Sequence, residues 1–195
     1  MKKTGCNPHG FAMRIFIFRR KALIILILGG AKSGKSRVAI ELAKKLGHKR
    51  AFLATALPCD EEMREKIEKH KSQRDSSWTT YEEPLEVSSI LLALREKYDV
   101  IVIDCLTLWL NNLLLEGKNF GRYCEDLIEK LIETGKNCHV VIVSNEVGLG
   151  IVPETPLGRK FRDYAGYLNQ KVAQISDKVY FVISGIPMKI KGESL

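Results

Sequence analysis

One segment limits what this chain can fold into. The apolar run Ala22–Leu28 (A-L-I-I-L-I-L) leads directly into G-G-A-K-S-G-K-S at Gly29–Ser36. After Arg37 comes V-A-I-E-L-A-K-K-L. The first run reads as a buried strand and the last as an amphipathic helix. A glycine-rich turn between such a strand and helix can aim several backbone N–H groups at one point. The positive end of the helix dipole faces the same point. The spacing fits G-x-x-x-x-G-K-[ST], the phosphate-binding loop, in the strand-to-helix context that the motif requires. Gly29, Gly30, Ala31, Lys32, Ser33, Gly34, Lys35 and Ser36 are therefore candidate nucleotide-binding residues. Lys35 is expected to reach the β- and γ-phosphates and serve catalysis, and the Ser36 hydroxyl to hold Mg²⁺.

A chain of 195 residues with 45% hydrophobic content can form one domain with a full core. The formal charge of +8 suggests a nucleic-acid partner, but its location argues against one. Lys2, Lys3, Arg14, Arg19, Arg20 and Lys21 carry much of it, and residues 1–21 contain no acid. The remaining body is near-neutral. The five cysteines, Cys6, Cys59, Cys105, Cys124 and Cys138, form no C-x-x-C pair. That odd count indicates reduced thiols and a cytoplasmic protein.

Arg19–Lys21 divides the apolar runs Ile15–Phe18 and Leu23–Leu28, so neither approaches the ~20 residues of a membrane helix. No small-residue cleavage site follows them. Residues 1–21 read as an N-terminal extension, disordered or loosely attached, with Met13 as an alternative start. Residues 22–195 read as the nucleotide-binding catalytic domain.

Beyond the loop, strand and helix alternate. Strands are expected at Arg50–Ala56, Val100–Ile103, His139–Val143 and Lys178–Ser184, with Trp78–Glu82 extended. Helices are expected at Lys35–Leu46, from Asp60 to Arg74, from Pro84 to Lys97, and at Leu106–Leu115, Tyr123–Thr134 and Gly158–Ser176. This order implies an α/β fold: a single P-loop NTPase domain of the RecA-like type, with a mostly parallel sheet flanked by helices.

Ligands in such sheets bind beyond the carboxyl ends of the strands. Ala54, Thr55 and Ala56 follow one strand and are small enough to admit a nucleotide. Asp104 ends another and suits a Mg²⁺ carboxylate, although a capping role stays open on the residues alone. The Ser144–Pro153 stretch, with two glycines and a proline, is a shaped loop. In the 60–74 helix, Met63, Ile67 and His70 share one face, and Arg74 lies one turn beyond His70. A histidine with an arginine at i+4 fits a nucleophile beside a phosphate clamp, or a core histidine.

Taken in order, G-G-A-K-S-G-K-S, A-T-A, D-E-E-M-R-E-K-I-E-K-H-K-S-Q-R, W-T-T-Y-E-E, D-C-L-T-L-W-L-N-N, S-N-E-V-G-L-G-I-V-P-E, F-R-D-Y-A-G-Y-L-N-Q and V-I-S-G-I-P make a specific pattern. It resembles the bifunctional adenosylcobinamide kinase / adenosylcobinamide-phosphate guanylyltransferase family of cobalamin biosynthesis, over about residues 23–191. The resemblance implies ATP or GTP as phosphoryl donor, GTP as GMP donor, Mg²⁺, and a corrinoid substrate, adenosylcobinamide. It implies that His70 carries GMP covalently. It also implies nucleotide contacts from Lys71, Ser72, Gln73, Arg74, Glu82 and Asp104, and a homo-oligomer, typically a trimer. By its position beyond a strand end, the 145–153 loop is the candidate corrinoid contact. Three other readings stay open on sequence: a plain small-molecule kinase, a nucleic-acid-binding ATPase, and a regulatory nucleotide-binding module without turnover.

Overall fold

The computed structural model describes residues 22–57, 61 and 75–192. The predicted extension 1–21 lies outside them. Of the predicted 60–74 helix only Glu61 is described, in helical conformation. The elements in chain order are β1 (Ile24–Gly29), α1 (Lys35–Leu46), β2 (Arg50–Ala54), β3 (Trp78–Glu82), α2 (Val87–Leu94) and β4 (Val100–Asp104). Then follow α3 (Leu106–Leu115), α4 (Phe120–Thr134), β5 (His139–Val143), α5 (Pro156–Ile175), β6 (Lys178–Ile183) and β7 (Ile186–Lys191).

The strands form one seven-stranded sheet in the order β3-β2-β4-β5-β1-β6-β7. All neighbours are parallel except β6 and β7. The expected mostly parallel α/β sheet is what the chain forms. Continuous β-branched runs suit its centre, where both faces are covered. Val100, Ile101, Val102 and Ile103 are all fully buried.

Strand alternation divides the core in two. Ile24, Leu26, Ile101, Ile103, Val140 and Ile142 face α2, α3, α4 and α5. Ile25, Ile27, Val100, Val102, Val141 and Val143 face α1, whose Val38, Ala39 and Ala43 pack on them. The same alternation turns Asp104 toward the α1 side. Small residues on α1 let that helix lie close to the sheet.

Several boundaries differ from expectation, each for a local reason. The second strand stops at Ala54: the Thr55 N–H makes the last β2–β4 ladder bond, to the Asp104 carbonyl (3.1 Å), and the Thr55 hydroxyl then closes on the Cys105 backbone. Helix α2 opens at Val87 and not at Pro84. The Glu83 carboxylate accepts the N–H groups of Leu85 and Glu86, both at 2.9 Å, and holds residues 84–86 as a turn. Helix α4 begins at Phe120, where the Asn119 side chain caps the Arg122 N–H. Helix α5 begins at Pro156, with Thr155 capping the Gly158 N–H. Proline at the first helical position suits a helix start. The last strand continues through a tight hairpin into β7, which sequence reasoning missed. Ser184 and Gly185 both have positive φ, 50° and 83°, as a type I′ turn needs.

Candidate nucleotide site

The loop after β1 is built by close approach. A Cβ on Gly29 would lie 2.5 Å from the Val182 carbonyl and 2.8 Å from Ser33 Oγ, so only glycine fits. Gly34 has φ 96° and occupies the N-cap of α1. No side chain caps that helix and its first turn has no acid, which is also true of α2 and α3, whereas Asn119 and Thr155 cap α4 and α5. The leading N–H groups of α1 are thus suited to an anion. The β6–β7 turn supports the loop from behind. Gly185 N–H donates to the Ser33 carbonyl (2.8 Å), and Arg37 Nη2 donates to the Gly185 carbonyl (3.4 Å).

A cleft of about 340 Å³ opens here, lined among others by Lys32, Lys35, Ser36, Asp104, Cys105 and Asn145. Lys35 is buried, and its Nζ donates to the Gly30 carbonyl (2.6 Å). Burial lowers its pKa, opposed by Cys105 and Asp104. Burial, and then the Asp104 charge, push the Cys105 thiol up to about 11. At neutral pH that thiol is protonated, so it is no nucleophile. Ser36 and Asp104 offer a hydroxyl and a carboxylate to the same space. Such hard oxygen donors suit Mg²⁺.

The other predicted contacts lie along the same edge of the sheet. Ala54 is in register with Glu82 on one side and Asp104 on the other. Asp104 is in register with Val143, two residues before Asn145. Thr55 behaves differently from an exposed lining residue. It is fully buried; its hydroxyl donates to the Cys105 carbonyl (2.7 Å) and accepts the Cys105 N–H (2.9 Å).

Helix α3 organises this edge. Its buried Asn112 donates through Nδ2 to the carbonyls of Thr55 (2.8 Å) and Pro84 (3.1 Å). Trp109 Nε1 donates to the Leu85 carbonyl (2.8 Å). The Thr107 hydroxyl accepts the Asn145 N–H (2.7 Å). One helix therefore ties the segments leaving β2, β3 and β5 to the one it extends from β4. Sequence reasoning missed Asn112 and Thr107, and it placed Asn145 in the candidate corrinoid loop rather than in the lining of the nucleotide cleft. Asn145 carried a signal, a polar residue just past a buried strand. Asn112 and Thr107 carried none, because their partners are distant in sequence. His70, Lys71, Ser72, Gln73 and Arg74 lie outside the described residues.

Fold and site together define a P-loop nucleotide-binding protein of the α/β class. Residues 25–190 match the family described as cobinamide kinase / cobinamide phosphate guanyltransferase, and the chain belongs to that family. It is 43% identical over 172 residues to the bifunctional adenosylcobalamin biosynthesis protein CobP of Pseudomonas aeruginosa, covering 87% of this chain and 98% of that protein. It is 40% identical over 182 residues to the bifunctional adenosylcobalamin biosynthesis protein CobU of Salmonella typhimurium, covering 87% of this chain and all of that protein. Among solved structures, one ATPase domain matches over 83% of this chain and 69% of its own, at 13% identity and a TM-score of 0.48. That likeness is too slight to bear on function.

Proposed function

We propose that this chain catalyses two successive reactions on one corrinoid. In the first, the hydroxyl oxygen of adenosylcobinamide attacks the γ-phosphorus of ATP or GTP. The bond to the β-phosphate oxygen breaks, the nucleoside diphosphate leaves, and the hydroxyl proton is lost. In the second, a His70 ring nitrogen attacks the α-phosphorus of GTP and expels pyrophosphate. A phosphate oxygen of adenosylcobinamide phosphate then attacks that phosphorus. The P–N bond breaks, giving adenosylcobinamide-GDP and free His70. Family membership together with the uncapped, glycine-shaped loop Gly29–Ser36 supports this reading.

Both reactions use the same loop. Backbone N–H groups at the start of α1 hold the phosphates, and Lys35 offsets charge that builds on the transferring phosphorus. Ser36 and Asp104 would hold Mg²⁺, which neutralises phosphate charge when bound. Direct phosphoryl transfer is mainly a matter of positioning and electrostatics. Guanylyl transfer gains from a covalent carrier, which splits one difficult displacement into two. A histidine suits that role, since with an ordinary pKa of ~6.5 it is mostly neutral near neutral pH. Lys71, Ser72, Gln73, Arg74 and Glu82 complete the GTP contacts, with Ala54 and Ala56 beside the nucleotide and the buried Thr55 holding that segment to Cys105. The protein works in the cytoplasm as a homotrimer.

Incubation with α-labelled GTP and Mg²⁺ tests the carrier. The label should map to His70, survive alkali and break in mild acid. His70→Ala should lose self-labelling and guanylyl transfer but keep part of the kinase reaction. A wild-type protein that takes no label, or carries it on a lysine, overturns the covalent route.

A further inference from the structure

The loop joining β5 to α5 carries features that the nucleotide chemistry leaves unexplained. Leu149 is 81% exposed, Ile151 96%, Val152 57% and Leu157 57%. Single exposed apolar side chains are ordinary on a protein surface, but three within four residues of this loop, with Leu157 following in the first turn of α5, form a patch. Val147–Pro153 carries no charged side chain. The patch is also fixed in place. At its root, Glu146 N–H donates to the carbonyl of Gly29, the first phosphate-loop glycine (3.0 Å), and Asn169 Nδ2 donates to the Asn145 carbonyl (3.2 Å). At its far end, Arg159 Nη1 donates to the carbonyls of Pro153 (3.1 Å) and Glu154 (2.6 Å). The loop is therefore anchored at both ends and joined to the phosphate cleft by a direct hydrogen bond.

We propose that the apolar side chains of this loop, Leu149, Ile151 and Val152, form the platform on which the corrin ring of the acceptor rests while its hydroxyl arm enters the cleft. The proposal rests on the reading of the acceptor as a corrinoid. Reach and chemistry carry it. The acceptor oxygen must come to the γ-phosphate at the Gly29–Ser36 loop, so the bulk of the acceptor must sit on the rim of the cleft. Asn145 lines that cleft, and the apolar patch begins four residues later. A corrin ring is broad, fringed with methyl groups and neutral amide arms. It gains from apolar contact and needs no cation. A nucleic acid or a second nucleotide would call for positive charge, which the loop lacks. A platform anchored at both ends costs little ordering on binding.

The test is a Leu149→Ser/Ile151→Ser double variant, with Val152→Ser made separately. Both replace exposed side chains. Equilibrium dialysis with adenosylcobinamide, read by corrin absorbance, measures binding directly. The double variant should bind the corrinoid at least tenfold more weakly and show a KM for it raised to match. Its KM for GTP and its self-labelling by α-labelled GTP should stay at wild-type level, which also shows that it is folded. Sedimentation should give the wild-type oligomer. Unchanged corrinoid binding overturns the proposal. So does a loss of oligomer, which would make the loop a contact between copies of this chain. So does a loss of GTP labelling, which would make it part of the nucleotide site. Wild-type protein that binds no adenosylcobinamide overturns the corrinoid reading and this proposal with it. Wild-type binding matched by equal variant binding overturns this proposal alone.

Discussion

Two side chains show how a buried group near this cleft can serve different ends. Lys35 is buried, and burial pulls its pKa down while the Asp104 charge holds it up. Of the cations lining the cleft among the described residues, Lys32 and Arg37 are exposed and Lys35 is buried, so Lys35 is the one suited to meet a phosphate at depth. Lys35→Ala should therefore abolish both phosphoryl and guanylyl transfer. The expected fall is about a hundredfold or more in kcat, the scale for removing one transition-state donor. Steady-state assay of each reaction checks it, and normal kinase turnover would rule out a shared site. Asn112 does not reach the cleft. It donates to the Thr55 and Pro84 carbonyls and so positions the segments that carry Ala54–Ala56 and follow Glu82. Asn112→Ala leaves two carbonyls unmatched, which should cost about 1–3 kcal/mol in urea unfolding. It should also raise the KM for GTP. A folded variant with unchanged KM would reduce Asn112 to a stabilising role alone.

At the scale of elements, the phosphate loop depends on a hairpin far away in the sequence. The β6–β7 turn meets the loop backbone to backbone, through Gly185 N–H and the Ser33 carbonyl. Gly185 sits at φ 83°, and a Cβ there would lie 2.9 Å from Arg37 Nη2. Gly185→Ala should lower stability by about 1–2 kcal/mol, the cost of a left-handed non-glycine residue. It should raise the KM for GTP several-fold, because the turn and the loop share a hydrogen bond. Thermal melting and GTP kinetics measure both effects. The strand–loop–helix unit from β1 to α1 was legible in the sequence, down to the first helical residue, Lys35. There local geometry and local chemistry coincide. The hairpin was not legible. Strand β7 reads I-P-M-K-I-K, is exposed along its length, and contains a proline, which the edge of a sheet tolerates. Helix α5 began earlier than expected because the cap at Thr155 and the proline after it were passed over in favour of Gly158. The register that aligns Glu82, Ala54 and Asp104 needed the strand order, which no local pattern specifies.

At the scale of the whole sheet, the candidate site and the acid-sensitive contacts of the described residues lie at opposite edges. The carboxyl ends of the strands carry Gly29, Ala54, Glu82 and Asp104. The amino ends are closed by side chains that accept backbone N–H groups. Asp99 Oδ2 accepts from His48 and Lys49, both at 2.9 Å, Asp177 Oδ2 accepts from Ile24 (2.9 Å), and His139 Nδ1 accepts from Leu23 (3.0 Å). His139 can accept there only while that nitrogen is unprotonated. Burial holds its pKa below the ordinary 6.5, with the Asp99 charge opposing. Above about 6.5 neither the folded nor the unfolded chain protonates this histidine, and its contribution to stability is complete. As the pH falls from there toward the lowered folded pKa, the unfolded chain takes up the proton first, so stability declines. Asp99 also titrates below its ordinary 3.8, held down by the Lys49 and His48 N–H groups, so its contribution is lost only in stronger acid. The first acid loss should therefore be that of His139. Urea midpoints measured between pH 7.5 and 5 should fall in the wild type, and His139→Asn should flatten that slope at the cost of a lower plateau. Five-residue strands span roughly 17 Å, so binding of GTP at the opposite edge should be little affected by the His139 substitution at pH 7.5. A His139→Asn variant with the wild-type pH slope would place the acid-sensitive group elsewhere in the fold.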